Sequence, residues 1–208
     1  MPIPQWLAWS RRLQAIAQTG LTYCTDDFDR ERYVHIREIA GEIAVAAVDL
    51  PDATVVREMY QAGAGYTTPK VDVRAVVFDA DGRILLVRER EDGGWTLPGG
   101  WADVGDSPSV NVVREVKEES GYEVRATKLL AVYDRDLHDH PPIPFHAYKV
   151  YFLCELTGGA AANSNETDGV GFFAEGAIPP LSLTRVTGAQ IEHMFEHRRH
   201  PEWPASFD

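Results

Sequence analysis

Cysteine and positive charge are the scarce ingredients of this chain. Among 208 residues only Cys24 and Cys154 are cysteines, too few and too scattered for a disulfide framework or a zinc site, and in keeping with a reducing cytoplasm. Both read as core residues. Lys and Arg number 20 against 32 Asp and Glu, a net charge of −12, which repels polyanions at long range and argues against long nonspecific nucleic-acid contacts and anionic membranes. Long apolar runs are missing too: none approaches the roughly 18 residues of a membrane span. Arg11 and Arg12 follow the first apolar residues rather than precede them, the reverse of a secretory signal. There are no internal repeats or low-complexity tracts. What remains is an ordinary globular composition, 44% hydrophobic and 25% charged, enough to bury a full core in one domain with a modest addition.

The addition comes first. Up to Tyr66, apolar residues recur at helical spacing: Leu7, Leu13 and Ile16, then Tyr33, Ile36, Ile39, Ala40 and Ile43, then a short piece from Val55 to Tyr60. Three helices are expected, the first ended by Gly20, the second capped by Asp27 or Asp29, the third set off by Pro51 and Asp52. From Thr67-Thr68-Pro69 onward the texture turns strand-like. Val71 to Phe78 leads through an Asp79-Ala80-Asp81-Gly82 hairpin signal to Ile84 to Arg88, and Lys128 to Tyr133, Ala147 to Leu156 and Gly169 to Ala174 follow. A closing helix is expected from about Thr184 to His197. Residues 1–66 should therefore form a small all-α domain and 67–208 an α/β domain with helices flanking a sheet. The apolar stripes of the N-terminal helices need cover, from the other domain or from a second subunit, and a symmetric homodimer is expected.

The chemistry concentrates between Gly100 and Tyr122. Ser107 followed by Pro108 reads as the N-cap and first residue of a helix, and Gly121 as the left-handed residue that ends it. On that helix Glu115, Glu118 and Glu119 share one face at i, i+3 and i+4, with Val112, Val113 and Val116 on the adjoining apolar stripe. Like charges at such spacing destabilise an isolated helix, so a cation is expected among them. Carboxylate oxygens suit Mg²⁺ or Mn²⁺, with waters and substrate phosphates as further ligands. Arg114 is spaced to hold a neighbouring carboxylate through charge-assisted hydrogen bonds. Leu97-Pro98-Gly99-Gly100 lets backbone approach a metal or phosphate, since glycine has no β-carbon in the way. The alternative, a solvated acidic helix face, leaves the glycine loop and the arginine unexplained.

This constellation resembles the Nudix box: Gly, five residues, Glu, seven residues, Arg-Glu, an aliphatic, any residue, Glu-Glu, any residue, Gly and a final apolar. Asp106 stands where the family has its first Glu, a generally supporting position. The resemblance implies an α/β/α sandwich with a mixed sheet and hydrolysis of a phosphoanhydride in a nucleoside diphosphate linked to another group. It also implies metal binding by Glu115, Glu118, Glu119 and the Gly99 carbonyl, with Arg114 orienting the acids. A narrower resemblance, to a subgroup with a helical N-terminal domain similar to ADP-ribose and CDP-choline pyrophosphatases, rests on three stretches. They are Trp6-Leu7-Ala8-Trp9 through Tyr23, Thr68-Pro69-Lys70-Val71-Asp72-Val73-Arg74, and Tyr133-Asp134-Arg135 with His138-Asp139-His140-Pro141-Pro142. The subgroup tends to carry two Glu before a Phe-Phe pair; here Glu166 is kept and Gly169 replaces the second.

A phosphoanhydride resists attack because its oxygens are negative, so charge must be neutralised, a water aligned, and its proton removed. Glu118 and Glu166 are the candidate bases, Glu166 reading equally as a solvated loop acid. Arg74, Arg88 and Arg135 can clamp phosphates or form ordinary ion pairs, with Arg74 lying inside a strand. His138 and His140 can meet a phosphate or a ligand's polar head, or be surface residues of a Pro-rich loop. Trp95 and Trp101 bracket the glycine loop and can stack on a base or serve packing, and Tyr23 divides in the same way. Within the same mechanism, dinucleotides or capped RNA ends are the alternative substrates. A nucleotide-sugar sensor that has lost turnover is the alternative from another class.

Overall fold

The computed structural model describes residues 3–46 and 65–208; the third expected N-terminal helix, Val55 to Tyr60, lies outside the described residues. The chain divides into two compact units, one holding the described residues up to Pro69 together with 142–146, the other 70–141 and 147–208.

The first unit is a helical pair, α1 (Gln5–Tyr23) and α2 (Asp27–Ala46). Small residues let the helices approach: Ala17, Ala40 and Ala44 are buried, and Ser10 Oγ donates 2.7 Å to the Ala40 carbonyl. Gly20 does not end α1, which runs on to Tyr23. It serves close packing, since a β-carbon there would sit 2.4 Å from the Tyr33 ring. Nor does Asp27 or Asp29 cap α2. Asp26 does, its carboxylate accepting the Asp29 N–H at 3.1 Å.

The second unit is an α/β sandwich. Seven strands, β1 (Lys70–Val77), β2 (Ile84–Glu89), β3 (Trp95–Thr96), β4 (Tyr122–Asp134), β5 (Ala147–Gly159), β6 (Thr167–Phe173) and β7 (Ser206–Phe207), make two sheets ordered β1-β5-β4-β7 and β3-β2-β6. The first sheet is mixed: β1 runs parallel to β5, and β4 antiparallel to it. Side chains alternate across the strands and fill two cores. Val73, Ala75, Val77 and Leu85 pack with Val112 and Val116 of α3 (Pro108–Ser120), whereas Val76, Ile84 and Leu86 pack with Ile191, Met194 and Phe195 of α4 (Gly188–Arg199).

Three expectations change in detail. The Asp79–Gly82 turn forms, with Gly82 at φ +78, but β1 and β2 are not a hairpin. They meet at a single bridge, Phe78 with Ile84, and part into different sheets. β4 starts at Tyr122 rather than Lys128, because bulges between Glu123 and Val124, Ala126 and Lys128, and Leu129 and Ala131 break the two-residue alternation. The closing helix starts at Gly188, where Thr187 and Gln190 form a reciprocal capping box.

Candidate active site

Helix α3 is bounded as its caps dictate. The Ser107 hydroxyl accepts the Val110 N–H at 3.3 Å, Pro108 opens the first turn, and Gly121 closes it at φ +76. Burial of Val112 and Val116 in the core directs the acidic stripe to the glycine loop. That loop is zipped onto β1 by main-chain bonds of 2.8 Å each, Val73 N–H to the Gly100 carbonyl, Ala75 N–H to that of Pro98, and Ala102 N–H to that of Val71. The contact leaves no room for a side chain: at Gly99, φ +140, a β-carbon would lie 2.0 Å from the Val73 carbonyl oxygen. At Gly100 it would lie 3.0 Å from Glu115 Oε2, so the second glycine opens space for that carboxylate.

Glu119 is the most deeply set acid. Its Oε2 accepts the Gly99 N–H at 2.9 Å. Burial pushes its carboxyl up to about 8, opposed by Arg74 and the Gly99 amide and reinforced by Glu89 and Glu115. Burial also raises Glu115, which Arg114 pulls back down and Glu118 and Glu166 raise further. Glu89, at the end of β2, is likewise raised by burial and held down by Arg185, whose Nε lies 3.0 Å from its Oε1. Glu89 and Glu115 each sense Glu166. Four acids from β2, α3 and the loop before β6 thus share one field, with Arg74 the buried cation that opposes it at Glu89, Glu115 and Glu119. Glu118 is more open. Its side chain is 57% exposed and reaches Arg114 Nη1 at 3.4 Å.

The Glu166 loop is tied to α3. Thr167, fully buried, donates its hydroxyl 2.6 Å to the Glu119 carbonyl, while the Ser164 hydroxyl accepts the N–H groups of Glu166 and Thr167. The Arg90 N–H meets the Glu166 carbonyl at 2.9 Å. The Glu166 side chain stays exposed beside this scaffold.

Arg114 gathers rather than points. Its Nη2 donates 2.7 Å to both Asp103 Oδ2 and Asn111 Oδ1 and stands 3.5 Å from Glu115 Oε1. Buried Asn111 accepts the Asp103 N–H at 2.9 Å, and its Nδ2 donates to the carbonyls of Asp106 (3.4 Å) and Ser107 (3.2 Å). It moulds the segment before α3. Asn111 and Glu89 have no counterpart in the sequence reading. A polar residue within the first helical turn and an acid ending an apolar strand were the only signals available.

The remaining candidates scatter. Arg74 is buried with Nε on Asp72 Oδ1 (2.9 Å) and Nη1 on the Leu97 carbonyl (3.0 Å). Arg88 pairs with Asp168 at 2.7 Å. Arg135 is buried, donating to the Thr184 carbonyl at 3.2 Å. His138 meets Asp208 at 3.2 Å, and buried His140 has Nδ1 2.8 Å from the Leu183 carbonyl. Trp101 is 46% exposed beneath the Lys70 ammonium, 5.6 Å from its ring centre. Trp95 packs edge-on to Phe173 at 4.7 Å. At Gly169 a β-carbon would come within 3.1 Å of both the Arg88 β-carbon and the Trp95 ring, so a second Glu there would require one of them to shift. Tyr23 is exposed and belongs to the helical unit. Of the cysteines, Cys154 is in the core and Cys24 only half-buried.

Residues 68–193 match the NUDIX domain family. The chain belongs to the Nudix family. It is a Nudix pyrophosphatase, and residues 4–59 match a second family, the UDP-X-like N-terminal oligomerisation domain. A Bacillus subtilis (strain 168) protein, provisionally named ADP-ribose pyrophosphatase YjhB, is 44% identical over 204 residues, 98% of this chain and 97% of its own. A solved UDP-X diphosphatase is 34% identical, covers 100% of both chains and superposes with a TM-score of 0.63. An ADP-ribose pyrophosphatase from Streptococcus suis is 43% identical, covering 68% of this chain and 100% of that one, with a TM-score of 0.62. Among the described residues, no helix is long and apolar enough to cross a membrane.

Proposed function

We propose that this Nudix hydrolase cleaves the pyrophosphate bond of a nucleoside diphosphate linked to a second group, an ADP-ribose-like or UDP-X-like compound or a CDP-alcohol. The products are a nucleotide and a phosphorylated remainder. The observation that carries this reading is the set of acids that act on one another around the glycine loop, Glu89, Glu115, Glu119 and Glu166, among which Glu119 is pushed up to about 8 by burial first and by Glu89 and Glu115 after it. Such a concentration of carboxylates is costly unless a cation answers it. All the donors are hard oxygens, which fits Mg²⁺ or Mn²⁺ and disfavours zinc. Glu115, Glu118, Glu119 and the Gly99 carbonyl are the groups to hold that ion. When bound, it supplies charge neutralisation and Lewis acidity toward the phosphate oxygens.

The chain's own residues do the rest. The Gly99 N–H fixes the Glu119 carboxylate, Arg74 favours its charged form, and Arg114 ties Glu115 and Glu118 to one guanidinium. Glu166 is the favoured base: its main chain is pinned to α3 through Thr167 and Ser164 while its carboxylate stays exposed to take a proton from the attacking water. Glu118, shared with Arg114, is the second candidate. Exposed Trp101, beside the glycine loop, is suited to stack on a base or sugar. The match of residues 4–59 to an oligomerisation domain supports a homodimer built on the helical unit.

Incubation with Mg²⁺ or Mn²⁺ and a panel of ADP-ribose, UDP-linked sugars, CDP-choline, a dinucleotide and capped RNA, with products separated by chromatography, tests this. Cleavage of a nucleoside diphosphate linked to a sugar or alcohol is expected. If nothing is cleaved while one compound binds tightly, the hydrolase reading is wrong and a sensor role replaces it.

A further inference from the structure

Beneath the glycine loop the hydrolase buries a run of charges that no hydrolytic step requires. Asp72, Arg74 and Lys149 are 4%, 5% and 1% exposed. Asp72 and Lys149 are register partners across the parallel β1–β5 pair, and the Lys149 ammonium donates to Asp72 Oδ2. The other Asp72 oxygen accepts Arg74 Nε at 2.9 Å, and Arg74 Nη1 donates 3.0 Å to the Leu97 carbonyl. Leu97 opens the loop whose Gly99 N–H holds Glu119 Oε2 at 2.9 Å. Arg74 in turn feels Glu119 as its next acid after Asp72. From Lys149 to Glu119 the charges alternate in sign; Lys149, Asp72 and Arg74 are joined by hydrogen bonds, and Arg74 acts on Glu119 through space and through the Leu97 loop.

Stability does not account for such an arrangement. Desolvating three ions in a sheet offsets most of their mutual attraction, and well-packed apolar residues hold such a core equally well. The arrangement does specify geometry. The guanidinium is a rigid planar fork; with Asp72 fixing its Nε edge, its Nη1 can meet only one carbonyl position, and that position sets where the loop carries the Gly99 amide.

We propose that Lys149 and Asp72 are positioning residues that orient Arg74, and that Arg74 thereby sets the glycine loop and the Glu119 carboxylate for the reaction without itself contacting substrate. This rests on the hydrolase reading above. It differs from a phosphate clamp by Arg74, which would act on substrate binding.

The decisive variant is the double substitution Asp72→Asn with Lys149→Met, which removes one charge of each sign together and leaves the buried Arg74 guanidinium facing an amide in place of its carboxylate partner. With a folded double variant confirmed by circular dichroism and thermal melting, kcat is expected to fall about tenfold or more with KM within about twofold, and Mn²⁺ affinity, read from the paramagnetic resonance of free Mn²⁺, to fall over a similar range. Arg74→Lys, which keeps the charge on Asp72 but loses the fork, is expected to give the same split and serves as the test if the double variant does not fold. Wild-type kcat with unchanged Mn²⁺ affinity in the folded double variant overturns the proposal. A large rise in KM at constant kcat in Arg74→Lys also overturns it, in favour of a clamp. Failure of the wild-type protein to hydrolyse any compound would instead strike the hydrolase reading, and the Mn²⁺ affinities would still judge the positioning role.

Discussion

The hydroxyl of Thr167 lies 2.6 Å from the main-chain carbonyl of Glu119, so the loop carrying one candidate base is bolted to the last turn of the helix carrying the candidate metal ligands. Thr167→Val keeps the shape and removes the bolt. A buried carbonyl then loses its partner, at a cost of about 1–3 kcal/mol. Calorimetry should show a lower Tm, and kcat should fall more than KM rises, because Glu166 loses its fixed distance from α3. Unchanged kcat would exclude Glu166 as the base.

Glu119→Gln separates stability from function. Burial, with Glu89 and Glu115 adding to it, disfavours the charged form of the wild-type side chain and pushes its carboxyl up to about 8, and a neutral amide avoids that penalty. Tm is expected to stay level or rise while turnover falls on the order of 100-fold.

Metal should stabilise the fold through the same acids. At about 100 times its Kd, Mn²⁺ adds about 2.7 kcal/mol, visible as a Tm increase that EDTA reverses. In Glu115→Gln the increase should shrink markedly; an equal increase in both proteins would place the ion elsewhere.

The two loop glycines should respond differently to alanine. Gly99→Ala drives a β-carbon to 2.0 Å from a backbone oxygen at φ +140, neither of which can yield, so a loss of more than about 2 kcal/mol is expected in denaturant melts. Gly100→Ala meets only the end of the Glu115 side chain, at 3.0 Å. It should fold normally and bind Mn²⁺ more weakly.

His140 carries an acid-sensitive contribution to stability. Burial lowers its imidazole to about 4, with Lys149 and Arg135 acting the same way and the Leu183 carbonyl opposing. The unfolded chain, with the ordinary value of 6.5, binds the proton first. Stability therefore falls as pH drops from about 6.5 to about 4, by up to about 3 kcal/mol. Urea melts at pH 7.5 and pH 4.5 should show this slope reduced in His140→Gln relative to wild type.

Much of the site could be read from spacing alone. Ser107, Pro108 and Gly121 fix both ends of α3, because caps are local chemistry, and the three acids on one face follow from the helical repeat. What could not be read depends on distant chain segments. Nothing in the sequence indicates that Glu89 joins the same field, because Arg185 before α4, Arg74 on β1 and Glu166 before β6 reach it only in the fold. Arg74 has the composition of a substrate clamp, yet its engagements with Asp72 and Leu97 appear only once β1 lies against the loop. The two-residue strands β3 and β7 have no periodicity to detect, and the bulges in β4 conceal its first half. Gly169 reads as a missing acid, and its crowding by Arg88 and Trp95 appears only in the folded sheet.

β1 is the outermost strand of its sheet, and its free side is occupied by the main chain from Pro98 to Ala102. The glycine loop of the candidate site and the edge guard are thus one segment. A lesion that frees this segment bares an apolar strand to pairing with other molecules, so loss of turnover and loss of solubility should travel together in this part of the chain.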